Sequence, residues 1–78
     1  MDTLTANNLR EQLLKTNPTF RELANEHKKY ETRLSELAEL HYPNDEEQLE
    51  EVLLKKKKLA VKDEMYSMLN NYYRSQSH

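Results

Sequence analysis

The chain has 78 residues, of which 36% are apolar and 33% charged, with 14 acids against 12 bases for a net charge of −2. The apolar share lies below the roughly 45–50% of an ordinary globular domain and the charged share above the usual 25% or so. That balance suits long helices with narrow apolar seams, and the low net charge argues against disorder. Cysteine and glycine are both absent, which excludes disulfides, zinc-thiolate centres, thiol nucleophiles and the glycine-rich loops that cradle phosphates.

The opening residues lack the basic-then-apolar pattern of a secretory signal. No run approaches the 18 or so apolar residues of a membrane span. A soluble cytoplasmic protein is therefore expected, built as a single domain over 1–78. One core in a chain this short is marginal, because only roughly 60% of the unfolded surface is buried at this size.

Two prolines divide the sequence into three pieces. The first, 4–15, reads as a short helix with Leu9, Leu13 and Leu14 on one side and Asn8 and Glu11 placed as a capping pair. Thr16-Asn17-Pro18 ends it, since the residue before proline avoids the helical region.

A second helix is expected over 18–41, capped either by Asn17 with Pro18 in the first turn or by Thr19 with Glu22. Phe20, Leu23, His27, Tyr30, Leu34, Leu37 and His41 follow alternating steps of three and four, a heptad seam. Ala24 and Ala38 beside it permit close approach. His41-Tyr42-Pro43-Asn44 breaks this helix.

Asn44 with Glu47 forms a further capping signature, and Asp45, Glu46 and Glu47 put negative charge at the positive end of the next helix dipole. A connection this short folds the third helix back on the second. The third helix is expected over 45–73, about 43 Å long, with a frayed tail at 74–78. The fold class is all-α: an antiparallel, coiled-coil-like two-helix hairpin with a short N-terminal helix, assembling into a helical bundle.

The third helix carries two apolar stripes. Val52, Leu59, Tyr66 and Tyr73 recur every seven residues, as do Leu54, Val61 and Met68, with Met65 and Tyr72 alongside. The two sets sit about 150° apart around the helix. One hairpin partner covers only one of them, so the other is left for the N-terminal helix, another copy of the chain or a different protein. Self-association is the simplest resolution, since a small hairpin rarely buries enough surface alone. Val52, Leu59, Tyr66, Met68 and Tyr73 are the expected interaction anchors, in an antiparallel four-helix bundle of two hairpins.

His27 occupies a seam position where an aliphatic residue stabilises more. A bend near Pro43 and Asn44 brings it opposite position 60, within a turn of Asp63, and a buried His27–Asp63 bond is expected to fix register. Lys55, Lys56, Lys57 and Lys58, with Lys62 a turn on, are the conspicuous basic run. Four consecutive residues point around the whole helix, so they make no compact patch. Lys55 is spaced to pair with Glu51, and Glu31 lies opposite the run. The rival reading is a nucleic-acid footprint of these five lysines, opposed by the net charge and by Glu46, Glu47, Glu50 and Glu51 nearby. Tyr30, Tyr66, Tyr72 and Tyr73 fall at seam spacing, which favours packing over base stacking. No serine–histidine–acid order and no metal-ligand spacing is present, so neither catalytic residue, cofactor nor metal is expected and the chain reads as a non-enzyme.

Two segments resemble a known family. Leu54-Lys55-Lys56-Lys57-Lys58-Leu59-Ala60-Val61-Lys62-Asp63-Glu64-Met65 is similar to the LKKxKLxLKDEI signature of the small bacterial YdcH-like proteins of unknown function. Phe20-Arg21-Glu22-Leu23-Ala24-Asn25-Glu26-His27 resembles their FxeLxxeH segment at the matching distance upstream. The likeness spans about 17–69. It implies a bacterial cytoplasmic helical hairpin, no activity, and a family pattern that includes His27, Lys62 and Asp63. The N-terminal helix and the Tyr72-Tyr73 end depart from that pattern.

Overall fold

Three helices form from the three pieces. The computed structural model describes residues 2–76, and within them α1 runs Thr3–Thr16, α2 Pro18–Ala38 and α3 Asp45–Gln76. Among the described residues there is no strand and no positive φ. The fold is the expected all-α hairpin with a short helix before it.

Each helix start has a visible cause. The carboxylate of Asp2 accepts from the Thr5 N–H at 2.7 Å, so α1 begins ahead of the expected Asn8 cap and the Asn8–Glu11 pair falls inside the helix. Asn17 serves two helices. Its backbone N–H donates to Leu13 O at 2.8 Å, closing α1, and its side-chain oxygen accepts from Phe20 N at 3.1 Å, opening α2. Pro18 stands at the first helical position, where a missing N–H leaves no bond unmade. Asn17 itself is extended, φ −120° and ψ 107°, the conformation that a following proline favours. The Thr19–Glu22 alternative is not used.

α2 ends at Ala38, three residues short of the expected 41, tightening into bonds from Glu39 N to Glu36 O and Leu40 N to Leu37 O, each 3.2 Å. His41 therefore leaves the seam and is exposed. The reciprocal cap at Asn44 is fully formed. Glu47 N donates to Asn44 Oδ1 at 2.7 Å and Asn44 N donates to Glu47 Oε1 at 2.9 Å. α3 then continues through Tyr73 to Gln76, so 74–76 are helical rather than frayed; 77–78 lie outside the described residues.

α2 and α3 pack antiparallel, and α1 lies across both at the end away from the bend. The core is Leu13, Phe20, Val61 and Met65, one or two from each helix, with Phe20 wholly buried. Leu14, Leu23, Ala24, Tyr30, Met68, Leu69 and Tyr72 pack around it. The Tyr72 hydroxyl donates to Gln12 Oε1 at 2.9 Å, tying α1 to the far end of α3. Near the bend, Arg33 and Glu50 clasp α2 to α3.

Candidate interaction surface

α3 is too long and too apolar for its neighbours to cover. Taking 100° per residue, Leu54, Val61, Met65, Met68 and Tyr72 fall within about 60° of one line along the helix, and that line faces α1 and α2. Val52, Leu59, Tyr66 and Tyr73 fall about 120–180° away from Val61. They are 50%, 59%, 59% and 38% exposed. Met68 does not belong with them. Seven residues from Val61 on the same line, it packs against the core, which corrects its place among the interaction anchors.

Further exposed apolar residues gather near the bend. Leu49 and Leu53, one turn apart, stand in the open, as do Leu40 and Tyr42. Leu49 and Leu53 line a shallow hollow with Glu46, Glu50 and Lys57. Their spacing of four was readable in the sequence, but both lie between the two stripes that seven-residue periodicity picks out. A larger groove of about 590 Å³ runs between α2 and α3, lined by Leu34, Ala38 and Leu59 together with Glu31, Lys55, Lys58 and Lys62.

The basic run divides as helical geometry requires. Lys55 Nζ lies 2.8 Å from Glu51 and Lys58 Nζ 3.5 Å from Glu31, the two partners expected from spacing and register. Lys56, Lys57 and Lys62 are exposed. The five ammonium groups do not share one face.

His27 and Asp63 are not joined. Asp63 sits two residues from both Val61 and Met65, about 200° round the helix from each. Since those two are buried against the core, Asp63 is turned to solvent. His27 instead places Nδ1 3.6 Å from Glu31 Oε1, one turn along its own helix, too long for a hydrogen bond. Its neighbours across the hairpin are Lys62, Met65, Tyr66 and Leu69, and Arg10 reaches the same small cavity from α1. Arg10 was not foreseen, because nothing in the sequence fixes where α1 docks.

Among the described residues no three or more histidine, cysteine, aspartate or glutamate side chains are grouped so as to hold a metal ion. No helix among them is long and apolar enough to cross a membrane.

A model of the family described as "Protein of unknown function (DUF465)" matches residues 20–69, well over half of the chain. The chain belongs to this family. DUF465 includes the YdcH-like small bacterial proteins of unknown function, so the resemblance in the α2 and α3 segments holds. The matched stretch takes in most of the hairpin, including His27, the lysine run and the exposed Val52, Leu59 and Tyr66. α1 and Tyr73 lie outside it. No curated protein and no solved structure matches this DUF465 chain.

Proposed function

We propose that this DUF465 protein is a non-catalytic interaction module of the bacterial cytoplasm, which self-associates through the exposed apolar column of α3. The observation that carries the reading is the column Val52, Leu59, Tyr66 and Tyr73, apolar at every seventh residue and exposed along the helix. A second copy is the occupant that the surface area favours. The chain leaves 6194 Å² exposed, against about 5,000 Å² expected from the mass scaling for a compact monomer of its size. Its radius of gyration of 15.5 Å likewise exceeds the roughly 11–12 Å expected for its length. The excess surface is larger than the roughly 800 Å² that each partner contributes to a standard interface. Two hairpins apposed through α3 form an antiparallel four-helix bundle, in which both stripes of α3 are covered.

Sedimentation or light scattering over a concentration series tests this. The expected mass rises above the 9.4 kDa of one chain, and Leu59→Glu returns it to that value with helicity unchanged. A single-chain mass at the highest concentration reached overturns the reading.

Nucleic-acid binding by Lys55, Lys56, Lys57, Lys58 and Lys62 is the rival. Lys55 and Lys58 lie near carboxylates, and the groove that these two share with Lys62 is lined by Glu31 and Glu51 as well, so little net positive charge faces outward there. Gel retardation of RNA or DNA at low salt, weakening steeply as salt rises, is what that rival requires.

A further inference from the structure

Three basic side chains, one from each helix, meet around a single cavity. Arg10 of α1, His27 of α2 and Lys62 of α3 line it together with Met65, Tyr66 and Leu69. No carboxylate is among those six residues. Glu31, the nearest acid to His27, stands between His27 at 3.6 Å and Lys58 at 3.5 Å. Arg10 and Lys62 make no ion pair among the described residues.

This is an unusual gathering for a chain in which acids outnumber bases. Elsewhere Arg33, Lys55 and Lys58 each lie against a glutamate. Arg10 and Lys62 line one cavity with no carboxylate in its lining, and a bound anion relieves the repulsion between their charges. His27, at a seam position where an aliphatic side chain packs better, lines this cavity rather than pairing with Asp63. The cavity is about 180 Å³, smaller than the roughly 300–1,000 Å³ of sites for drug-sized ligands. One anionic head and a short apolar body fill it.

We propose that the Arg10–His27–Lys62 cavity binds a small organic anion, its phosphate or carboxylate head held by the three bases and its apolar body against Met65, Leu69 and the Tyr66 ring. The guanidinium of Arg10 offers a planar fork suited to two oxygens of such a head, and Lys62 adds a point charge. All six residues come from one chain, but Tyr66 also belongs to the proposed association face, so the titration below is repeated on Leu59→Glu, in which that face is not engaged.

Phenyl phosphate serves as the probe, with inorganic phosphate as its headgroup-only counterpart, each titrated into the full-length chain while backbone amide signals are followed by NMR at constant ionic strength. The expected result is saturable shifts centred on Arg10, His27, Lys62 and Tyr66, with phenyl phosphate binding tighter than inorganic phosphate. Arg10→Gln and Lys62→Gln, both at exposed positions, each weaken phenyl phosphate about tenfold, the loss of one charge-assisted bond. Lys56→Gln, an exposed lysine on another face of α3, leaves it unchanged. Shifts that do not saturate, an equal effect of Lys56→Gln, or no preference for phenyl over inorganic phosphate would overturn the proposal.

Discussion

Arg33 grips Glu50 with two parallel bonds, Nε donating to Oε2 at 2.7 Å and Nη2 to Oε1 at 2.9 Å, so the bend end of the hairpin is clasped by one guanidinium–carboxylate fork. Nη1 of the same arginine donates to Glu36 at 3.0 Å. The bonds from Arg33 hold the Glu50 carboxyl below its usual range, and the two glutamates raise the Arg33 pKa in turn.

A pH dependence follows with a definite sign. Because the folded-state pKa of Glu50 is depressed, the fork contributes fully above the ordinary glutamate value of about 4.3. The contribution fades as pH falls from there through the lower folded-state value. Glu50→Gln is expected to melt below the parent chain at neutral pH, with the gap closing in strongly acidic solution. Both groups face solvent, so added salt narrows the gap as well. Thermal melts followed by circular dichroism across pH and salt check both trends.

Phe20 is the core residue with no exposure at all, and it touches elements on either side of Asn17. Phe20→Ala is expected to cost about 3–5 kcal/mol. A domain of this length has only about 4–12 kcal/mol in total. Urea denaturation should therefore show a variant that is partly unfolded before denaturant is added.

Leu59 and Met65 lie on the same helix about 120° apart, one exposed and one buried, and the two should fail in different ways. Met65→Ala opens the core and is expected to cost about 2–5 kcal/mol at any protein concentration. Leu59→Ala changes the folding of the single chain by no more than about 0.5 kcal/mol. Its effect appears in the melting temperature as a function of concentration. That temperature climbs on concentrating the parent, since association stabilises the folded form, and stays flat in the variant.

The reciprocal cap at Asn44 is exposed and involves no core packing, which isolates its contribution. Asn44→Ala is expected to lose about 1 kcal/mol, while Asn44→Asp keeps the acceptor and most of the stability. Equilibrium unfolding in urea measures both, and an unchanged midpoint for Asn44→Ala would show that the cap is idle.

How much of this was legible depends on whether a feature is local. The Asn17 and Asn44 caps, the Lys55–Glu51 pair and the seam from Phe20 to Leu37 follow from spacings within one helix, and each is found. The register across the bend was read well enough to place Glu31 near Lys58, because a short connection leaves little freedom. The end of α2 was overrun by three residues because His41 continues the seam pattern while Pro43 already prevents the helix from continuing. Asp63 is close to His27 by register but not in space, because the buried Val61 and Met65 turn that position outward. Arg10 beside His27 and Lys62 was out of reach, since it depends on how α1 is laid over the hairpin.

That docking has a consequence for the matched stretch of this chain. The stretch matched to DUF465, 20–69, does not contain everything that closes its own core, because Leu13 and Gln12 come from upstream of it. Trimmed to that stretch, the hairpin would carry a bare strip beside Phe20 and Met65, with room for a helix of about 21 Å. In this protein α1 is the lodger in that berth, held there by Leu13 and by Gln12.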